Sequence, residues 1–309
     1  MATITAKDVA ALRAKTGIGM MECKKALVEA DGDMDAAVKL LREKGQLKAE
    51  GKAGRIAADG IVDIMKEGNK TAMIEVNSET DFVAKNASFQ AFVKDILKVI
   101  LKENPADVNA LLTCNYIDGS MTVDAKLKEM IFVIGEKLSI RRFVVVEGTV
   151  STYIHGLGSI GVIVKFDADD AVVANPGFAQ YAKNLALQVA ADPVAYLCRE
   201  QVPASVIEEE KSILMAQIAN DPANAKKPPQ IIEKMVAGRI AKYYDTHCLF
   251  DMAYVKEDNM KVSQYIAASE KELGGKAAVV AYVRYEKGEG IEKREDNFAE
   301  EIAKMTGKA

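Results

Sequence analysis

Apolar residues recur at helical spacing from the first turns of the chain. Val9 and Leu12 share one face of a segment opened by Thr5-Ala6-Lys7-Asp8. In that capping box Thr5 and Asp8 can satisfy each other's free backbone donors. Thr16-Gly17-Ile18-Gly19 breaks the helix, and Met20, Cys23 and Leu27 stripe a second one that Asp31-Gly32 ends. Asp33 caps a third, whose Ala37, Leu40 and Leu41 form a stripe closed by Gly45. Three such helices bury little area together, so the pattern predicts a docking piece rather than a reaction vessel. Gln46 to Arg55, rich in Lys, Ala and Gly, reads as a connector helix or linker with a solvated face, a spacer rather than a nucleic-acid contact.

The period then changes, and the pattern occurs twice. In the first copy Asp59-Gly60-Ile61-Val62 opens a strand, Glu67-Gly68-Asn69 turns, and Thr71 to Val76 returns. In the second, Glu147-Gly148-Thr149-Val150 opens a strand, Gly156 to Ser159 turns, and Ile160 to Phe166 returns. A helix follows each hairpin. Val83-Ala84-Lys85-Asn86-Ala87-Ser88-Phe89 matches Val173-Ala174-Asn175-Pro176-Gly177-Phe178 with one residue less between Val and Asn. Phe89, Phe92, Val93 and Ile96 mark one helix face; Phe178, Tyr181, Leu185 and Val189 mark the other. Each copy closes on a β run, Leu138 to Val146 and Ala277 to Tyr285.

Two three-stranded antiparallel sheets under helices make an α+β fold. The second copy carries an insertion with Ile207, Leu214 and Ile218 on one helix. Asn220 to Pro229 turns the chain, and Ile232, Val236, Ile240 and Tyr243 stripe the returning helix. This predicts a projecting helical hairpin whose seam serves itself or a second subunit. The expected organisation is a docking domain and linker over 1–54, then core subdomains over 55–146 and 147–290. The second holds the hairpin at about 203–245, and a C-terminal helical module covers 291–309.

A length of 309 residues with 49% hydrophobic and 28% charged residues suits a globular chain of two or three domains. The net charge of −4 disfavours a direct nucleic-acid role. Met1 to Ala10 lacks the apolar core of a signal peptide, and no run of about 18 uncharged apolar residues occurs. Cys23, Cys114, Cys198 and Cys248 form no CxxC pair, so reduced thiols in a cytoplasmic setting, without a membrane, are expected.

Gly156-Leu157-Gly158-Ser159-Ile160-Gly161 fits GxGxxG, but a β run follows it where a dinucleotide site needs a helix; it reads as a hairpin turn. No GxxxxGK[ST] loop occurs. The two histidines, His155 and His247, lack zinc spacing. His155 is either an exposed hairpin tip or a polar contact to a partner. No nucleophile elbow anchors a triad, and Asp167, Asp169, Asp170 and Asp258 read as surface charge. No cofactor, metal or catalytic residue is expected. One segment breaks its local rule: Asn77-Ser78-Glu79-Thr80-Asp81-Phe82-Val83 puts an aromatic at a loop-to-helix corner, where the second copy has Asp167-Ala168-Asp169-Asp170. Phe82 is either core or an exposed interface anchor.

Thr16 to Leu27 (TGIGMMECKKAL) and Glu75 to Ala84 (EVNSETDFVA) resemble two signatures of the bacterial elongation factor Ts family. So do Glu233 to Arg239 and Gly288 to Lys293, and the likeness runs from Thr3 to the C-terminus, departing around Cys114 and His247. The resemblance implies a guanine-nucleotide exchange factor for the GTPase elongation factor Tu. In the family the Asp-Phe corner, here Asp81 and Phe82 flanked by Thr80 and Val83, enters the GTPase near its nucleotide, disturbs the phosphate loop and dislodges magnesium. The N-terminal bundle, similar to ubiquitin-associated domains, docks on the GTPase domain through positions matching Leu12, Met20, Met21 and Lys24. The second core half touches another GTPase domain, and the hairpin supports a homodimer in some members. The rival reading is a ubiquitin-associated-type protein-binding module on a passive scaffold.

Overall fold

The computed structural model describes residues 3–117, 119–221 and 227–292. The expected module at 291–309 therefore lies almost wholly outside the described residues, as do Lys293 and the centre of the Asn220 to Pro229 turn.

The chain opens with α1 (Ala6–Thr16), α2 (Met20–Glu29) and α3 (Met34–Lys52). Thr5 and Asp8 form the capping box, Gly17 ends α1 in the left-handed conformation, and Asp33 caps α3 through the N–H groups of Asp35 and Ala36. Gly45 does not end α3, which continues through most of the proposed connector to Lys52. Gly45 lies beside Phe132, which a Cβ there would meet at an ordinary van der Waals distance of 3.5 Å. Val9, Leu12, Ile18, Cys23, Ala26, Leu27, Ala37 and Leu41 fill the bundle, and Phe132 enters it from outside.

β1 (Asp59–Glu67) and β2 (Lys70–Ser78) then form a hairpin, followed by the single-turn α4 (Asp81–Ala84), α5 (Ala87–Glu103), α6 (Val108–Thr113) and α7 (Val123–Ile134). β3 (Leu138–Glu147) returns beside β2, giving an antiparallel sheet of order β1-β2-β3. β4 (Val150–His155), β5 (Ile160–Ala168), α8 (Asp170–Val173) and α9 (Phe178–Ala191) repeat the motif. The insertion α10 (Ala204–Asn220) and α11 (Pro229–His247) follows, then β6 (Ala253–Tyr254), β7 (Glu257–Lys261), α12 (Val262–Leu273) and β8 (Ala277–Glu286). The second sheet has the order β4-β5-β8, all antiparallel, so the fold is α+β.

Alternation along the strands divides the core in two directions, as a period of two requires. Ile61, Ala72, Ile74 and Val76 face α5, against Phe89, Phe92, Val93 and Ile96. Val162, Val164 and Phe166 face α9, against Phe178, Tyr181, Leu185 and Val189. The intervening Val62, Met73 and Ile163 form a separate cluster where the sheets meet. The GxGxxG segment serves this contact. Gly158 O accepts from Val62 N–H at 2.8 Å. A Cβ at Gly161 would come within 2.5 Å of Val62 Cγ1, so only glycine lets the second sheet approach this closely.

Within the chain, Leu214 and Ile218 pack on Val236 and Ile240, with Tyr244, rather than Tyr243, beside them. Tyr243 stacks on His247 instead, with centroids 4.1 Å apart. Among the described residues no helix is long and apolar enough to cross a membrane.

Candidate functional site

Ser78, at the end of β2, is buried, and its hydroxyl donates to Thr80 O at 2.9 Å, folding the chain into a corner. Thr80 precedes α4 in extended conformation but does not cap it. Its N–H and hydroxyl both go to Glu136, at 2.9 Å to Oε2 and 2.7 Å to Oε1. Glu79 answers in the other direction: its Oε1 accepts the Lys137 N–H at 2.6 Å, while Arg55 reaches both its oxygens at 3.3 Å. Downstream, Gln90 donates to Ala84 O at 2.9 Å, and Asn86 caps α5 through the Ser88 and Phe89 N–H groups.

On a single helical turn each residue is rotated by about 100° from the last. Val83 and Ala84 take the inward directions and join the first core. Asp81 and Phe82 are left outside, and Phe82 is 77% exposed. A Phe side chain kept in water forgoes about 1.5–3 kcal/mol of burial free energy, which is then available to a partner surface. Lys85 bonds Asp81 at 3.0 Å and lies 5.7 Å above the Phe82 ring. That ammonium holds the Asp81 carboxyl below the ordinary carboxylate range.

The duplication supplies an internal control. α4 and α8 align without a gap, so Asp81-Phe82-Val83-Ala84-Lys85-Asn86 corresponds to Asp170-Ala171-Val172-Val173-Ala174-Asn175. Val172 is buried like Val83, and Asn175 makes the same turn bond as Asn86, to Gly177 N–H at 2.9 Å. The expected match of Val83 to Val173, one residue short, is thereby corrected to Val172. Phe82 corresponds to Ala171, so the fold itself does not require an aromatic there.

A second exposed apolar surface lies on α2. Its inner face carries Cys23, Ala26 and Leu27; Met20 (48% exposed), Met21 (67%) and Lys24 face out. Met21, Lys24, Lys25, Val28 and Glu29 line a shallow groove. Leu12, expected on the same docking face, is 0% exposed: with Val9 it forms the α1 stripe that fills the bundle, so it supports the surface from within. His155 stands at the β4–β5 tip, exposed, with Nδ1 3.1 Å from Tyr153 Oη.

Glu79, Glu136 and Arg55, which hold the corner, were not singled out in the sequence, and neither was a second polar cluster. Glu75, 0% exposed, receives Arg142 Nε at 2.6 Å, Arg141 Nη1 at 3.0 Å, Asn77 Nδ2 at 3.1 Å and Gly288 N–H at 2.8 Å. Arg142 also reaches Glu289 at 3.0 Å and lies 4.1 Å over the Tyr285 ring. Burial alone would raise the Glu75 pKa, but the Gly288 N–H, the Asn77 amide and the two guanidiniums outweigh it and hold the carboxyl below its ordinary range. This ties the segment after β8 to the first sheet. Gly288 has φ +70, and a Cβ there would meet Ala58 O at 2.0 Å.

The corner thus presents an exposed aromatic beside a carboxylate. Comparison with known proteins gives the family. The family model described as Elongation factor TS matches residues 79–289, a span that begins at the corner and ends at the Glu75 clasp. The chain belongs to the elongation factor Ts family. It is 47% identical over 311 residues to "Elongation factor Ts" of Clostridioides difficile, covering 99% of each chain. It is 44% identical over 309 residues to the protein of that name from Syntrophotalea carbinolica, covering 98% of this chain and 99% of the relative. A Clostridium perfringens relative is 44% identical over 310 residues, covering 99% of this chain and all of its own. Elongation factor Ts proteins carry their role, the elongation step of protein synthesis, in their name, and the described residues of this member hold no cluster of three or more His, Cys, Asp or Glu suited to a metal.

Proposed function

We propose that this chain is a guanine-nucleotide exchange factor: it grips elongation factor Tu carrying GDP and loosens the nucleotide without catalytic groups of its own. The observation that carries the reading is Phe82, exposed on a one-turn helix whose backbone is tethered on both sides. In this reading Thr80 and Val83 fix the corner, and Asp81 and Phe82 enter the GTPase beside its phosphate pocket and displace the bound magnesium ion. Met20, Met21 and Lys24 supply docking from the 1–54 bundle, and the core over 55–290 sets the distance between the two contacts.

The energetics suffice without chemistry. Burying one Phe side chain stabilises the nucleotide-free complex by about 1.5–3 kcal/mol. At about 1.4 kcal/mol per decade, that is roughly ten- to a hundredfold in nucleotide affinity. Such coupling is reciprocal, so GDP must weaken the factor's own binding by the same ratio. A passive scaffold bearing only a docking bundle would have no use for an exposed ring at position 82. The test is release of labelled GDP from elongation factor Tu with and without this chain. Release is expected to accelerate to a plateau with added protein; an unchanged rate at saturating protein would overturn the reading.

A further inference from the structure

The sequence reading gave no role to residues 132–137, yet beside the direct Arg55–Glu79 contact they tie the N-terminal bundle to the Asp-Phe corner at both ends. At one end Phe132, on α7, is built into the bundle rather than into its own subdomain, against Leu12, Leu27 and Leu41. Gly45 lies against its ring, and Lys48 Nζ lies 4.5 Å over the ring centroid. Next along, Lys52 at the end of α3 donates to Gly135 O, and Lys137 Nζ donates back to Arg55 O at 2.7 Å. At the other end the Glu136 carboxylate takes both donors of Thr80, and the Lys137 N–H returns to Glu79.

We propose that Glu136 is a positioning residue: it locks the Asp-Phe corner to the α7–β3 turn, and that turn, held in the bundle by Phe132, makes the docking surface and the wedge one rigid body. This rests on the reading of Phe82 as the wedge. The physical content is pre-organisation. A loosely hinged corner would yield when pressed against a phosphate pocket, whereas a corner whose preceding residue has both donors committed to one carboxylate transmits the docking force. Glu136 touches neither GTPase nor nucleotide in this account, so its removal leaves the docking surface intact and blunts what docking accomplishes.

The experiment uses full-length protein in labelled-GDP release from elongation factor Tu over a range of factor concentrations. Wild type, Glu136→Ala, Glu136→Gln and Phe82→Ala are compared. Glu136→Ala is expected to lower the maximal release rate about tenfold, the worth of one hydrogen bond to a charged group, with a half-saturating concentration within about twofold of wild type. Glu136→Gln, which keeps one acceptor and the shape, is expected to fall between. A merely structural role would instead move the half-saturating concentration or the melting temperature and leave the plateau of the folded fraction alone. The proposal is overturned if either variant retains the wild-type plateau, or if the loss lies wholly in the half-saturating concentration. Failure of the underlying reading has a different signature: Phe82→Ala would then release GDP as fast as wild type.

Discussion

Glu75 shows how much can rest on one side chain. Its carboxylate lies fully buried between two arginines of β3 and the N–H of Gly288, so three distant stretches of sequence converge on it. Nothing in the local pattern of β2 announces this, since a charged residue in a strand ordinarily marks the solvent side. The Gly288-Glu289-Gly290 segment was legible only as a resemblance to a family signature; its job is to bring a backbone donor to Glu75 past Ala58. Because the folded state holds the Glu75 carboxyl below its ordinary range, its contribution to stability is complete above the unfolded value of about 4.3. It is lost as the pH falls from there through the folded value. Glu75→Gln is therefore expected to lower stability at pH 7 by up to about 3 kcal/mol, since it leaves two partly buried guanidiniums without their carboxylate. It should also flatten the fall in stability below about pH 5. Thermal melts of both proteins across that range check this; parallel pH profiles would exclude Glu75 as a source of acid sensitivity.

Among the elements, periodicity made the duplication readable. Hairpins, long helices and closing strands fall where alternation and the i, i+3, i+4 stripe place them. Where the reading went astray, one element was serving two neighbours. α7 buries Met130 and Ile131 in the first core and Phe132 in the bundle, so its apolar positions run together instead of forming a clean stripe, and no helix was anticipated there. Gly45 looked like a helix stop because glycine commonly is one; it lies inside α3, beside Phe132. In α2 Cys23 and Leu27 of the expected stripe point in but Met20 lies on the outer face, and Leu12, matched to the docking face by resemblance, points in with its own stripe. The outer face yields a prediction. Met20→Asp is expected to raise the half-saturating concentration for complex formation about tenfold or more, because an unpaired carboxylate pressed into an apolar contact costs at least about 1.4 kcal/mol. The melting temperature should not move, since Met20 lies outside the bundle core. Titration calorimetry with elongation factor Tu, beside a thermal melt, separates the two; unchanged affinity would remove Met20 from the docking surface.

At the scale of the molecule, the two sheets pack against each other through Val62, Met73 and Ile163. Sequence alone located the corner but left Phe82 open between core and anchor. The burial of Val83 and Ala84, and the alanine at the duplicated position 171, decide that it faces out. What supports the corner could not be read at all: Thr80 and Glu136 are 56 residues apart, with no shared pattern, and only the fold brings them together. The central claim is that a single aromatic ring does the work of nucleotide release. It is tested most directly by the maximal rate of labelled-GDP release from elongation factor Tu under saturating Phe82→Ala, set against wild type. The account predicts a plateau roughly ten- to a hundredfold lower, with an unchanged melting temperature because the ring makes little contact within its own chain. A variant that folds normally and releases GDP at the wild-type plateau would contradict it.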